Sequence, residues 1–171
     1  MEWVRAMLLS LAKIIDRPGG MVEFTTELNL QDMTFGGSSP VTETVTANGS
    51  VRNTAGVLIL NGEVSTTLHG ICDRCAREFE RQVTFPVEAV LVTELASEEN
   101  EDQWTFLLEN DCADLEDIFT TAFVLNMDSK LLCSEECKGL CFRCGKNLND
   151  GPCDCQPEID PRFAALKQLL K

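Results

Sequence analysis

Nine cysteines constrain this 171-residue chain more than any other feature. They stand at positions 72, 75, 112, 133, 137, 141, 144, 153 and 155, and all but Cys112 lie within four residues of another. Zinc accepts four thiolates tetrahedrally, and Cys-x₂-Cys lets two side chains of one tight turn reach the same ion. Cys72-Asp-Arg-Cys75 and Cys141-Phe-Arg-Cys144-Gly145 have that form. Gly145 strengthens the second, because the residue after such a pair often takes positive φ so that backbone N–H groups point at sulfur. The simplest partition gives two zinc ions. Cys141, Cys144, Cys153 and Cys155 close one site locally, leaving Cys72 and Cys75 to meet Cys133 and Cys137 across 57 intervening residues. This longer closure staples the tail to the upstream chain.

Other chemistries fit the same residues less well. Four thiolates also hold iron–sulfur clusters, and Cys137-x₃-Cys141-x₂-Cys144 matches the spacing of radical enzymes that use S-adenosylmethionine, but those need repeated strand–helix units. A redox dithiol at Cys72 and Cys75 needs a strand-to-helix setting that lowers the thiolate pKa. Disulfides need an oxidising compartment. His69, the single histidine, can replace a cysteine in the first site or simply end a strand. Cys112 reads as a buried inert thiol, and Glu135-Glu136 as a solvated loop rather than a general-base pair. No P-loop, no G-x-S-x-G and no second histidine is present, so an enzyme is not expected.

The run from Ala6 to Ile15 resembles a signal peptide, but Ser10 and Lys13 interrupt it and Asp16-Arg17-Pro18 follows in place of a cleavage site. Trp3, Met7, Leu11 and Ile14 share one helical face and Glu2, Arg5, Lys13 and Asp16 the other, so the spacing predicts a soluble N-terminal helix in a cytoplasmic protein without a membrane span. The formal charge of −14 opposes general affinity for nucleic acid. The charge is segregated, however: ten carboxylates crowd residues 94–117, whereas Arg74, Arg77, Arg81, Lys138, Arg143 and Lys146, six of fourteen basic residues, gather at the cysteine pairs.

Val22, Phe24, Thr26, Leu28 and Leu30 alternate as a half-buried strand does. Asn48-Gly49 and Asn61-Gly62, each flanked by β-formers, predict two hairpin turns and a three-stranded antiparallel meander over residues 40–70. Val83, Phe85, Val87, Ala89 and Leu91 form one face of a further strand, and an acidic loop leads to the apolar stretch 104–108. Leu115, Ile118, Phe119, Ala122 and Phe123 repeat with helical period behind an Asp114 N-cap. Residues 133–155 have no hydrophobic period, so metal is the force that orders them. Asp160-Pro161 opens a last helix whose Phe163, Leu166 and Leu170 share a face. The expectation is one α+β domain over residues 1–171: a mainly antiparallel meander, with barrel-like closure open to it, N-terminal, central and C-terminal helices, and a zinc-stapled subregion at 133–155.

The run Leu132-Cys133-Ser-Glu-Glu-Cys137-Lys138-Gly139-Leu140-Cys141-Phe-Arg-Cys144-Gly145-Lys-Asn147-Leu148-Asn149, followed by Cys153-Asp-Cys155 and Asp160-Pro161-Arg162, resembles the YceD-like family of large ribosomal RNA subunit accumulation proteins. Cys72-x-x-Cys75 fits that family's other signature. Similar proteins tend to have proline between the core helix and the cysteine run, where this chain has Asn126-Met127-Asp128-Ser129-Lys130. The resemblance implies a role in accumulation or assembly of the large ribosomal subunit and no known catalytic residue. It makes large-subunit ribosomal RNA or a pre-ribosomal particle the expected partner, met through Arg74, Arg77, Arg81, Lys138, Arg143 and Lys146. The alternative is an acidic adaptor for a basic ribosomal protein, and the minor one a thiol oxidoreductase. No small-molecule substrate is expected.

Overall fold

A computed structural model describes residues 7–94 and 104–155. Strands β2 (Met21–Leu28), β3 (Val45–Thr54), β4 (Val57–Ile71) and β5 (Glu78–Val92) form an antiparallel ladder in chain order, and β6 (Thr105–Leu107) adds to β5 in parallel. Among the described residues this five-stranded sheet is open, with β2 and β6 at its edges, and does not close into a barrel. The alternation seen in the sequence falls on one face: Val45, Ala47 and Val51, then Leu58, Leu60, Val64 and Leu68, then Val83, Val87, Ala89 and Leu91 are buried.

Helix α1 (Leu115–Asn126) covers that face. The Asp114 carboxylate accepts from the N–H groups of Glu116 and Asp117 at 3.0 and 3.2 Å, as an N-cap does. All five residues of the expected apolar stripe are buried. Phe119 meets Phe24 edge-on at 5.7 Å, and Phe123 meets Phe85 at 5.7 Å and Phe35 at 6.0 Å.

The Asn-Gly dipeptides do not turn the chain. Asn48-Gly49 lies within β3 and Asn61-Gly62 within β4, with the two glycines opposite each other. The turn between these strands is Ala55-Gly56, both at positive φ, as a two-residue hairpin loop requires. The residues expected to form three strands therefore form two long ones. Glycine is needed at 62 for space: a Cβ there would lie 2.5 Å from the Asn48 carbonyl oxygen and 3.0 Å from the Phe119 ring. Close backbone approach, rather than a turn, explains the dipeptides.

The N-terminal helix is also corrected. Leu8–Ser10 is a short strand, β1, paired antiparallel with β7 (Cys112–Asp114), and only a tight turn follows, in which Ile14 N–H donates to Leu11 O at 2.8 Å. Leu11 and Ile14 are buried as expected, since a spacing of three suits one turn as well as a helix. The amide of Asn53, itself 1% exposed, donates to the carbonyls of Ile14 and Ile15, both at 2.7 Å, and holds this turn against the β3–β4 hairpin. Among the described residues α1 is the one α-helix, and none is long and apolar enough to cross a membrane. The expected helix beyond Asp160 lies outside the described residues.

Candidate metal centres

The first cysteine pair is the turn of the longest hairpin: β4 ends at Ile71, Cys72 follows, and β5 resumes at Glu78. The Asp73 N–H donates to Leu131 O at 2.8 Å, and its carboxylate accepts from Leu131 N–H at 2.7 Å. Arg74 donates to the carbonyl oxygens of Glu135 and Cys137 at 3.1 and 3.2 Å. Two neighbouring residues thus draw the chain after α1 across the hairpin tip. Cys133 and Cys137 arrive beside Cys72 and Cys75. Cys72, Cys75 and Cys137 form a small buried cluster with Phe79 and Leu132, separate from the main core.

The second pair repeats the local geometry of the first. Ala76 N–H donates to Cys72 O, and Gly145 N–H to Cys141 O, each at 2.9 Å; Cys72 N–H donates to Arg77 O at 2.9 Å, and Cys141 N–H to Lys146 O at 2.8 Å. Ala76 and Gly145 both take positive φ, 53° and 71°. The second turn is attached to the first through Leu140 N–H, which donates to Arg74 O at 3.1 Å.

The sulfurs of Cys72, Cys75, Cys133 and Cys137, and those of Cys141, Cys144, Cys153 and Cys155, form two groups in which all ligand atoms lie within 4.8 Å of one another. Tetrahedral thiolates about 2.3 Å from one ion stand about 3.8 Å apart. Cys72 and Cys137 are 3.8 Å apart, Cys75 and Cys133 3.8 Å, and Cys141 and Cys153 3.4 Å. All nine cysteines are free thiols. The donor set and its spacing fit a metal ion in each group, in the partition the sequence suggests.

The electrostatics agree with sites built for a cation. Burial pushes the Cys72 thiol up, but backbone hydrogen bonds with Cys133, Arg74 and Cys75 outweigh it and bring it down to about 6. Backbone groups of Cys144 and Arg143 likewise bring Cys141 to about 6. Asn149 is the main cause that lowers Cys137. Cys133 is pushed up to about 12, chiefly by its hydrogen bond with Cys137, and Cys155 to about 12 by that with Cys144. Crowded sulfurs cannot all ionise together unless positive charge stands among them. His69 and Cys112 belong to neither group.

The six basic residues divide into two sets. Arg74, as above, and Arg77, which pairs with Asp150 at 2.8 Å, tie the hairpin tip to the cysteine-rich segment, while Arg81 on β5 pairs at 3.0 Å with Asp128, just after α1. Lys138, Arg143 and Lys146 are exposed on that segment, with Lys146 Nζ also donating to Pro152 O at 2.8 Å. Asp128 and Leu131 show how the chain reaches the metal region without proline. Asp73 and Asp150, and the contact that Asn149 of the cysteine-rich run makes with sulfur, carry no periodicity that marks them in the sequence, though polar side chains inside cysteine loops are the natural outer partners of sulfur.

Fold and sites together define a mainly antiparallel sheet protein whose longest hairpin ends in one four-cysteine group, with a second such group beside it on the following chain, each able to hold a metal ion. A family model described as large ribosomal RNA subunit accumulation protein YceD matches residues 60–170. The chain belongs to this family. It is also similar to uncharacterized proteins of Mycobacterium bovis and Mycobacterium tuberculosis, each 30% identical over 122 residues, which are 67% of this chain and 56% of the relative. The chain thus spans 56% of the length of these curated relatives. No solved structure matches it.

Proposed function

We propose that this chain is a non-enzymatic, zinc-stapled factor for accumulation or assembly of large-subunit ribosomal RNA, and that it meets RNA through the outer knuckle. Two tetrads of thiolates alone suit structural zinc, which has no geometric preference of its own and fills closed tetrahedral sites. Closed sites leave no open position for a substrate, which supports a scaffold rather than a catalyst. The observation that carries the RNA reading is local: residues 137–149 contain Lys138, Arg143 and Lys146 and no carboxylate. At physiological salt the Debye length is about 8 Å, so distant acidic residues are largely screened from phosphates docked there.

A second reading has its own support. Arg74, Arg77 and Arg81 have intramolecular partners and the chain carries −14, which favours an acidic adaptor for a basic ribosomal protein. Glu98, Glu99, Glu101 and Asp102 of its acidic loop lie outside the described residues. Crosslinking in cells, with sequencing of bound RNA and identification of bound protein, separates the two. Ribosomal RNA crosslinked at residues 138–146 is expected; a basic ribosomal protein captured without RNA contact there would replace the RNA reading by the adaptor.

A further inference from the structure

Phe142 is 91% exposed, the most exposed large apolar side chain among the described residues. It stands between buried Cys141 and Arg143 at the tip of the outer knuckle. The backbone beneath it is held by the paired hydrogen bonds of Cys141, Gly145 and Lys146, so the ring is presented on a fixed turn. A phenyl ring left in water forgoes the stabilisation that burial gives, and neither core cluster includes it. Three cations, Lys138, Arg143 and Lys146, are exposed on the same segment; the exposed carboxylates of that segment stand outside the run 137–149, Glu135 and Glu136 before it and Asp150 and Asp154 after it, with Asp150 paired with Arg77.

We propose that Phe142 is a stacking platform for an unpaired nucleobase, with Lys138, Arg143 and Lys146 receiving the phosphates of the same strand; this rests on the RNA reading above. An exposed aromatic ring beside cations is the chemistry by which single-stranded RNA is held, because a splayed base offers a π-face that a duplex keeps stacked inside. The competing occupant, a pocket on a basic protein, is disfavoured by the same three cations, which repel it. The surface therefore selects unpaired over duplex RNA and tolerates base identity.

The test uses the full zinc-loaded chain, a short fluorescein-labelled single-stranded RNA and its annealed duplex, read by anisotropy. Phe142→Ala should weaken single-strand binding about tenfold, leaving duplex binding and zinc content unchanged. Phe142→Trp should retain binding and show quenching on RNA addition beyond that of the parent protein. Parent binding unaffected by Phe142→Ala would overturn the stacking role while leaving the RNA reading in place. Absence of single-strand binding by the parent would overturn both. Loss of a basic ribosomal protein from Phe142→Ala with RNA affinity unchanged would make the ring a protein anchor instead.

Discussion

The side-chain amide of Asn149 donates to Cys137 Sγ at 3.3 Å, so a residue from the loop that closes one tetrad touches a sulfur of the other. Its oxygen accepts from Lys138 N–H at 2.8 Å, and its own N–H groups are held by Asn147 Oδ1. Outer hydrogen bonds of this kind orient a ligand and tune its hold on the ion. Asn149→Ala should speed metal release from the Cys72 tetrad about tenfold. Transfer to a chromophoric chelator measures it, with the phase assigned by its loss in Cys72→Ser; an unchanged phase would mean that the contact does not tune the site.

The two centres should respond unequally to damage. The second draws all its ligands from residues 141–155, whereas the first depends on Asn149 and Asp150 of that loop. Native mass spectrometry under mild chelation should show one ion retained in Cys72→Ser/Cys75→Ser, but reduced occupancy of the intact first tetrad in Cys153→Ser/Cys155→Ser. Full retention of that ion would show the sites to be independent. Asp150→Ala alone should change stability by about 0–1 kcal/mol, because both partners of its ion pair are more than half exposed.

Gly62→Ala tests the correction to the meander. The new methyl group meets the Asn48 carbonyl and the Phe119 ring, so a loss of about 1–3 kcal/mol is expected, seen as a lower midpoint in chemical denaturation with metal content intact. A neutral result would show that α1 does not press on this part of the sheet.

What could be read from the sequence followed from strong, redundant patterns. The α1 stripe and the strand face from Val83 to Leu91 combine a periodicity with burial, and Asp114 combines a capping residue type with its place before the stripe; all three hold. The cysteine partition was legible because spacing limits which thiols meet. The Asn-Gly dipeptides misled because glycine serves close approach as well as turning, and a single chain does not say which. Leu8–Ser10 misled for another reason: its partner strand is about a hundred residues away, and long-range pairing overrides local helical spacing. Arg74, Arg77 and Arg81 show the same limit at the site, since charge near cysteines reveals nothing about the carboxylates and carbonyls that the fold sets opposite.

Asn53 is a buried amide with both faces used: its nitrogen donates to Ile14 and Ile15, and its oxygen accepts from Gly56 N–H at 2.8 Å. Asn53→Ala leaves those carbonyls without their donor and should cost about 1–3 kcal/mol. Hydrogen exchange should show the loss concentrated in the 11–20 turn and the β3–β4 hairpin; uniform loss across the sheet would contradict a local anchoring role.

In the proposed reading, two all-cysteine zinc centres hold the end of the long hairpin and the cysteine-rich segment together. Native mass spectrometry of the full chain, combined with elemental analysis of the same sample, tests it most directly. Two zinc ions per chain are expected, with one lost when the ligands of the first tetrad are replaced. Iron in place of zinc, or a single ion shared among cysteines of both groups, would rule out two separate zinc centres.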